Sequence, residues 1–354
     1  MFRICVLSLL LFTLPLVGCG SDDGGDASST GSADGAVNPP VDGGTPPGED
    51  DVPNISPPDA GPSDEGDDAS TGEATYGTAC GLDDRVGHFE LTHNEFYAAI
   101  TGTVSDGVIP LTVLQPVKVV GDCTLLQKKN PFCDPPCGAG ELCDHDGTCT
   151  PYPQNTSVGT VSISGLLKPD VAIEPNAQDY YWDPDVPFPL FEAGAGIELT
   201  ASGGDTEGFS LSAWGVPDLV LEDAVLAMAS GTDLEVKWTP EEGAWRVWFS
   251  LNIDQHGNAP VTLFCEVEDT GSATISAELI DELLGFGVSG FASADFRRQT
   301  VDSAEVAAGC VQMSVYSFAP GKLTVEGHTP CKFDPDCPEG EVCDVLIETC
   351  IPVP

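Results

Sequence analysis

Two four-cysteine clusters constrain this chain more than any other feature. The first runs Cys133-Asp-Pro-Pro-Cys137-Gly-Ala-Gly-Glu-Leu-Cys143-Asp-His-Asp-Gly-Thr-Cys149. The second runs Cys331-Lys-Phe-Asp-Pro-Asp-Cys337-Pro-Glu-Gly-Glu-Val-Cys343-Asp-Val-Leu-Ile-Glu-Thr-Cys350, with slightly different spacings around a shared Cys-(Gly/Pro)-x-Gly-Glu-(Leu/Val)-Cys-Asp. Neither unit is large enough to build an apolar core, so each must be held by cross-links. Bridges closing loops of about 11 to 14 residues contribute roughly 3 kcal/mol each in the loop-entropy account. Spacing alone leaves adjacent and alternating pairings open. Zinc is the other chemistry such clusters suggest, but no histidine pair stands at finger spacing, and no metal is assigned.

Between and around the clusters the pattern is that of strands. His88-Phe89-Glu90-Leu91-Thr92, Tyr97 to Val104 and Leu111 to Leu126 read as three strands, with Pro116 marking a bend or edge position in the third. Val158 to Leu167 follows the first cluster. Ile197/Leu199/Ala201, Phe209/Leu211/Ala213, Leu234/Val236/Trp238 and Trp245/Val247/Phe249/Leu251/Ile253 place apolar residues at period two, the mark of antiparallel sheets wet on one face. Asp254-Gln-His-Gly-Asn258 turns the chain into Val261 to Val267 as a hairpin. One helix is expected, Ala277 to Leu284, capped by Ser276, before strands at Ala294 to Thr300 and Val311 to Phe318. Ten to twelve short strands separated by turns predict a mostly β fold, an antiparallel β-sandwich over 76–325. It carries one cysteine-rich insertion at about 131–152 and ends in a second such module at 326–354.

Upstream, Arg3 precedes an apolar segment, Ile4 to Leu14, too short to span a bilayer as a helix. It closes on Leu16-Val17-Gly18-Cys19, which resembles the lipobox of bacterial lipoproteins. The resemblance implies a signal peptide over 1–18 and a diacylated, membrane-anchoring Cys19. Gly20 stands where an inner-membrane retention signal usually places Asp, so the likeness favours the outer membrane. From Gly20 to Thr75 the chain is Asp, Gly, Pro, Ser and Ala without a single Lys or Arg. Such a segment cannot offset its conformational entropy by burial and is expected to be disordered. As a flexible tether it would average roughly 40 Å end to end and reach about 190 Å when taut.

The chain has 14 cysteines. With Cys5 in the signal and Cys19 acylated, an even number remains in an exported protein, which points to disulfides. Cys80, Cys123, Cys265 and Cys310 lie in the β region, where three pairings exist; the sequential one, Cys80–Cys123 with Cys265–Cys310, is preferred. A formal charge of −45, from 12 basic and 57 acidic residues, makes nucleic acid and anionic lipid headgroups poor partners.

Further residues carry a family resemblance. The Asp/Gly-rich start after Cys19, Gly121-Asp-Cys123, Asn130-Pro-Phe-Cys-Asp-Pro-Pro-Cys137, Cys143 to Cys149, Asn252-Ile-Asp-Gln-His-Gly257 and Cys265-Glu-Val-Glu-Asp-Thr-Gly-Ser272 are similar to a group of exported lipoproteins common in myxobacteria and their relatives. The likeness covers about Tyr76 to Phe318 and implies fold and location, not an activity. The four-cysteine units also resemble EGF-type modules, which implies the pairs Cys133–Cys143, Cys137–Cys149, Cys331–Cys343 and Cys337–Cys350.

Catalytic signatures are weak. His88 and His93, five residues apart beside a strand, should face opposite ways at ordinary surface positions. Gly287-Val-Ser-Gly290 follows a helix rather than a strand, the wrong order for a nucleophile elbow. Asp144-His145-Asp146-Gly147 and Asp334-Pro-Asp336 resemble the start of a calcium loop but lack its later ligands. Asp254 and His256 share a polar turn. The best binding candidate is Tyr180-Tyr181-Trp182, flanked by Asp179 and Asp183, whose rings either stack on sugars or fold over an open end of the sandwich. The reading is therefore a non-enzymatic cell-envelope lipoprotein without cofactor, in a structural or protein-interaction role. The runner-up is a receptor for a glycan or peptide.

Overall fold

The computed structural model describes residues 76–94, 96–183, 185–254 and 260–353. Cys19, the tether and His256 lie outside these residues. The chain begins with β1 (Arg85–His93) and β2 (Ala98–Val104), then β3 (Leu114–Val120) and β4 (Cys123–Lys128). The segment read as one strand from Leu111 to Leu126 is thus a hairpin. Gly121 adopts φ +58°, a left-handed turn conformation that suits glycine. Pro116 sits at a register shift on β3, an edge strand, where its missing N–H costs no ladder bond.

The first cysteine cluster folds as a small hairpin, β5 (Glu141–Cys143) with β6 (Cys149–Pro151). Next come β7 (Val161–Ser164), β8 (Val171–Ile173), β9 (Tyr180–Asp183), β10 (Gly196–Ala201) and β11 (Phe209–Trp214). Then follow β12 (Val225–Met228), β13 (Leu234–Lys237), β14 (Arg246–Asn252), β15 (Val261–Glu268) and β16 (Ser272–Ile275). The helix α1 (Ala277–Gly285) precedes two long strands, β17 (Ser293–Val306) and β18 (Gly309–Val325). The second cluster forms β19 (Glu341–Asp344) and β20 (Thr349–Pro352). Twenty strands among the described residues exceed the expected ten to twelve, chiefly because three- and four-residue strands carry too short an alternation to register. Ser276 stands at the helix N-cap but makes no cap bond; the first helical N–H, of Ala277, is taken instead by Asp233 Oδ1 at 2.7 Å.

One sheet dominates, in the order β3-β4-β15-β14-β17-β18-β1-β2-β9, with β12 also pairing with β18. The sheet is antiparallel except at two places: β1 and β12 each run parallel to β18. Parallel neighbours need a long crossover, and here nearly the whole domain lies between β1 and β18. A second sheet, β11-β10-β7-β8, packs against one end of the large sheet and makes the fold sandwich-like. The core there includes Phe89, Leu91, Tyr181, Leu199, Leu211 and Val315. Gly102 is required in it: a Cβ would stand 2.2 Å from the Phe89 ring that lies across β2. The other end is closed by the antiparallel β13–β16 pair and α1 over Leu125, Trp238, Phe249, Leu263, Leu283 and Phe296.

Between the two cores the inner face of β17 turns polar. Arg298 and Thr300 are both fully buried. Arg298 Nε donates to Asp269 Oδ2 at 2.7 Å, and its terminal nitrogens donate to the Asp218 and Thr239 carbonyls at 2.6 and 2.7 Å. Asp269 also accepts from Trp238 Nε1 at 2.6 Å. Each charge therefore has partners in place of the water it lost.

The cysteines form six disulfides. Cys133–Cys143, Cys137–Cys149, Cys331–Cys343 and Cys337–Cys350 brace the two modules. In the β domain the sequential pairing is corrected to Cys80–Cys310 and Cys123–Cys265. Cys123 and Cys265 are directly opposed on β4 and β15, and the parallel union of β1 with β18 carries Cys80 to Cys310.

Candidate functional site

The aromatic run Tyr180-Tyr181-Trp182 is not a loop folded over the sandwich but the edge strand β9, paired with β2. Strand alternation then splits the three rings. Tyr181 points inward and is buried against Phe89 at a centroid distance of 5.6 Å. Its hydroxyl accepts from the Val158 N–H at 2.8 Å and donates to the Gly159 carbonyl at 3.1 Å, so the loop entering β7 hangs on this side chain. Burial pushes its pKa up. Tyr180 and Trp182 point outward and are 49% and 63% exposed. Their cross-strand partners on the same face are Thr103 and Thr101, followed on β1 by His88 and Glu90. The outward face thus presents two ring surfaces beside a row of hydrogen-bonding groups.

Further along this face, the guanidinium of Arg297 lies between the rings of Trp248 and Tyr316, 4.6 and 4.5 Å from their centroids. Glu90 approaches it at 3.7 Å. Burial, with the Glu90 charge second, raises the Tyr316 pKa to about 12. The segment before β1 crosses the same face. The Tyr76 ring lies under Arg246, Gln299 Nε2 donates to the Tyr76 hydroxyl at 3.2 Å, and the Cys80 N–H donates to Gln312 Oε1 at 3.1 Å. Burial, then a bond to Glu266, keep that phenol protonated well above the usual tyrosine range. A cleft of about 290 Å³ lies between this segment and the sheet, but Gln299 and Gln312 in its lining are engaged with the chain itself.

His93 is the functional-looking residue that sequence reasoning placed wrongly, at the surface. The parallel neighbour β18 and the segment carrying Phe191 cover it, and it is buried. It lies opposite Ser317 in the β1–β18 ladder, and its Nε2 is 3.4 Å from Asp218 Oδ1. Serine, histidine and aspartate are together, yet the wiring is not that of a nucleophile. His93 Nδ1 accepts the Leu190 N–H at 3.2 Å, and the Ser317 hydroxyl donates to the Pro217 carbonyl while accepting the Leu219 N–H. No imidazole nitrogen is left for the hydroxyl, as general-base activation requires. The ring stacks on Phe191 at 4.2 Å, and burial holds its pKa down, opposed by Asp218.

The remaining candidates are structural. Asp146 accepts both the N–H and the hydroxyl of Thr148, which lower its pKa, and Asp336 accepts the Lys332 and Phe333 N–H groups, with the same effect. Asp334 accepts from Cys343 N–H. These carboxylates close turns. Three sulfurs in each module lie within 4.8 Å of one another, but all are in disulfides and offer no thiolate. Ser289 in Gly287 to Gly290 donates to the Asp254 carbonyl at 2.8 Å. Among the described residues no helix is long and apolar enough to cross a membrane.

No family model and no curated protein matches the chain. Among solved structures, the crystal structure of chicken CNTN1 FN1-FN3 domains aligns at a TM-score of 0.17 and 9% identity. The alignment covers 59% of this chain and 66% of that one, a likeness too small to bear on function.

Proposed function

We propose that this chain is an exported lipoprotein, acylated at Cys19 and held at the outer membrane, whose disulfide-braced β domain serves a structural or protein-interaction role in the cell envelope. The observation that carries the reading is the state of the cysteines. All twelve in the described residues are paired in six disulfides, which persist in oxidising compartments and are rare in the cytosol. The lipobox-like Leu16 to Cys19 and the acidic stretch behind it supply the anchor and the spacer. Mass spectrometry of the mature N-terminus tests this: a lipid-modified Cys19 is expected, and Cys19→Ser should release the domain from the membrane fraction. A mature protein with an unmodified Cys19 amine would refute it.

A second reading, glycan binding, is favoured by one observation: Tyr180 and Trp182 present exposed rings on a single face beside Thr101 and Thr103. Aromatic faces flanked by hydroxyls suit the apolar faces and hydroxyl edges of sugars. A glycan-array signal lost in Trp182→Ala would support it; no signal from the native chain on any glycan would dismiss it.

A further inference from the structure

The long strand β18 is bordered unequally. On one side β17 accompanies it over fourteen residue pairs. On the other, two shorter parallel strands lie in tandem: β1, whose pairing ends at Ser317, and β12, whose pairing begins at Lys322. Among the described residues no strand fills the interval, so Phe318, Ala319, Pro320 and Gly321 form a short open edge inside an otherwise continuous sheet. Pro320 suits this place. The Lys322 N–H donates to the Ala224 carbonyl at 2.7 Å, and strand alternation turns the backbone groups of Pro320 to the same side. There its missing N–H costs no ladder bond, and its carbonyl remains as an acceptor.

A pocket of about 340 Å³ opens at this gap, walled by Phe96, Leu219, Val220, Leu221, Phe318 and Pro320. Phe96 and Val220 are 77% and 56% exposed, an uncovered apolar rim. One charged side chain lines the pocket, Asp218. Its carboxylate is 75% exposed and lies 3.4 Å from Nε2 of His93, an imidazole that burial keeps uncharged at neutral pH. The backbone beneath it is fixed: Arg298 donates to the Asp218 carbonyl at 2.6 Å, and the Leu219 N–H donates to Ser317 Oγ at 2.9 Å. Asn94, the other polar side chain of the lining, commits its Oδ1 to the Phe96 and Tyr97 N–H groups. Glu222 and Asp223, between the lining residues Leu221 and Ala224, are exposed, as is the cation Lys322 beside the gap. The buried Arg298 charge is met by Asp269, so carboxylates prevail around the pocket.

We propose that this pocket seats a primary ammonium on an aliphatic stem, the stem against the apolar walls and the ammonium at Asp218. A compact head with three N–H donors suits a carboxylate and a lone carbonyl. An anion would meet Asp218 unopposed, and a wholly apolar ligand would strip water from the carboxylate without replacing it. The Phe96 ring adds a face that attracts cations. Lysine side chains and free alkylamines share this chemistry. The proposal does not depend on the anchoring or glycan readings.

Nuclear magnetic resonance on the isotope-labelled full chain carrying Cys19→Ser, exported into an oxidising compartment so that acylation does not intervene, tests it. Titration with hexylammonium chloride should give saturable shifts at the Leu219, Val220, Leu221 and Phe318 amides. Hexanol, its neutral counterpart, should bind at least ~5-fold more weakly, and Asp218→Asn should weaken hexylammonium by a similar factor. Phe96→Ala should weaken it about 3-fold. Both side chains are largely exposed, so thermal melting should stay unchanged and separate lost binding from lost folding. A peptide with one internal lysine that binds more tightly than hexylammonium would assign the ammonium to a partner chain; the reverse order would assign it to a small amine. The absence of saturable shifts at these amides overturns the proposal, as do equal binding of hexanol and binding that survives Asp218→Asn undiminished.

Discussion

The two apolar cores lie under one continuous sheet but are closed in different ways. Over the Phe89 core the lid is a second sheet, β7, β8, β10 and β11, whose alternation repeats that of the strands beneath it. Over the Phe249 core the lid is the two-stranded β13–β16 pair and α1, pieces too small to hold one another. What gathers the loops around the second lid is polar: Arg298 joins β17 to Asp269 and to the carbonyls of Asp218 and Thr239. A regular lid is held by ladder bonds and apolar area, whereas an irregular one needs a hub with many donors in fixed directions, and a guanidinium supplies that.

Removing the hub should therefore have the largest effect. Arg298→Met strands Asp269 in the interior and is expected to cost about 3–5 kcal/mol in urea unfolding, with Arg298→Met/Asp269→Leu recovering part of the loss. Hydrogen exchange should accelerate in the β13–β16 pair before β10 and β11; equal acceleration would mean that the two lids open as one unit. Next is Thr300, whose hydroxyl donates to the Trp214 carbonyl at 2.6 Å and accepts its N–H at 3.1 Å. Thr300→Val leaves both backbone groups unpaired and should cost about 1–3 kcal/mol, with faster exchange on the first lid only.

The smallest effect is expected from His93, at the junction of the cores. Its pKa is lowered in the folded chain, mainly by burial, so below the ordinary imidazole value of about 6.5 the unfolded chain binds a proton that the folded chain does not. The stability present above that pH should fall on acidification through it, until the folded imidazole itself protonates. Urea midpoints should show a shallower dependence over this window in His93→Gln; an unchanged slope would place the titration elsewhere.

These contrasts explain what could be read from the residues. The first lid was legible because Ile197/Leu199/Ala201 and Phe209/Leu211/Ala213 announce their faces locally. The β14–β15 hairpin was legible for the same reason. The hub was not: Arg298 and Asp269 are remote in sequence, and a charged residue on a strand reads as a solvated one. The parallel seating of β1 on β18 left no local trace either, and with it went the pairing of Cys80 and the burial of His93. In β9 three consecutive aromatic rings carry no period-two contrast of their own, so nothing local separates Tyr181 from its outward-facing neighbours.

The Cys80–Cys310 bond closes a covalent ring around nearly the whole β domain, with a sequence separation of 230 residues. A pull from upstream of Tyr76 reaches Cys80 before it reaches β1, crosses to Cys310 and continues along β18 toward the second module. Everything between the two cysteines is bypassed. Without the bond that stretch could pay out ~3.5 Å per residue under load; with it, the extensible length is removed. The strand that receives the load is held by β17 over fourteen consecutive residue pairs and by β1 on its other side. The domain hangs from its load line instead of lying in it, so tension between the two ends would leave both cores and the outward face of β9 in their resting form.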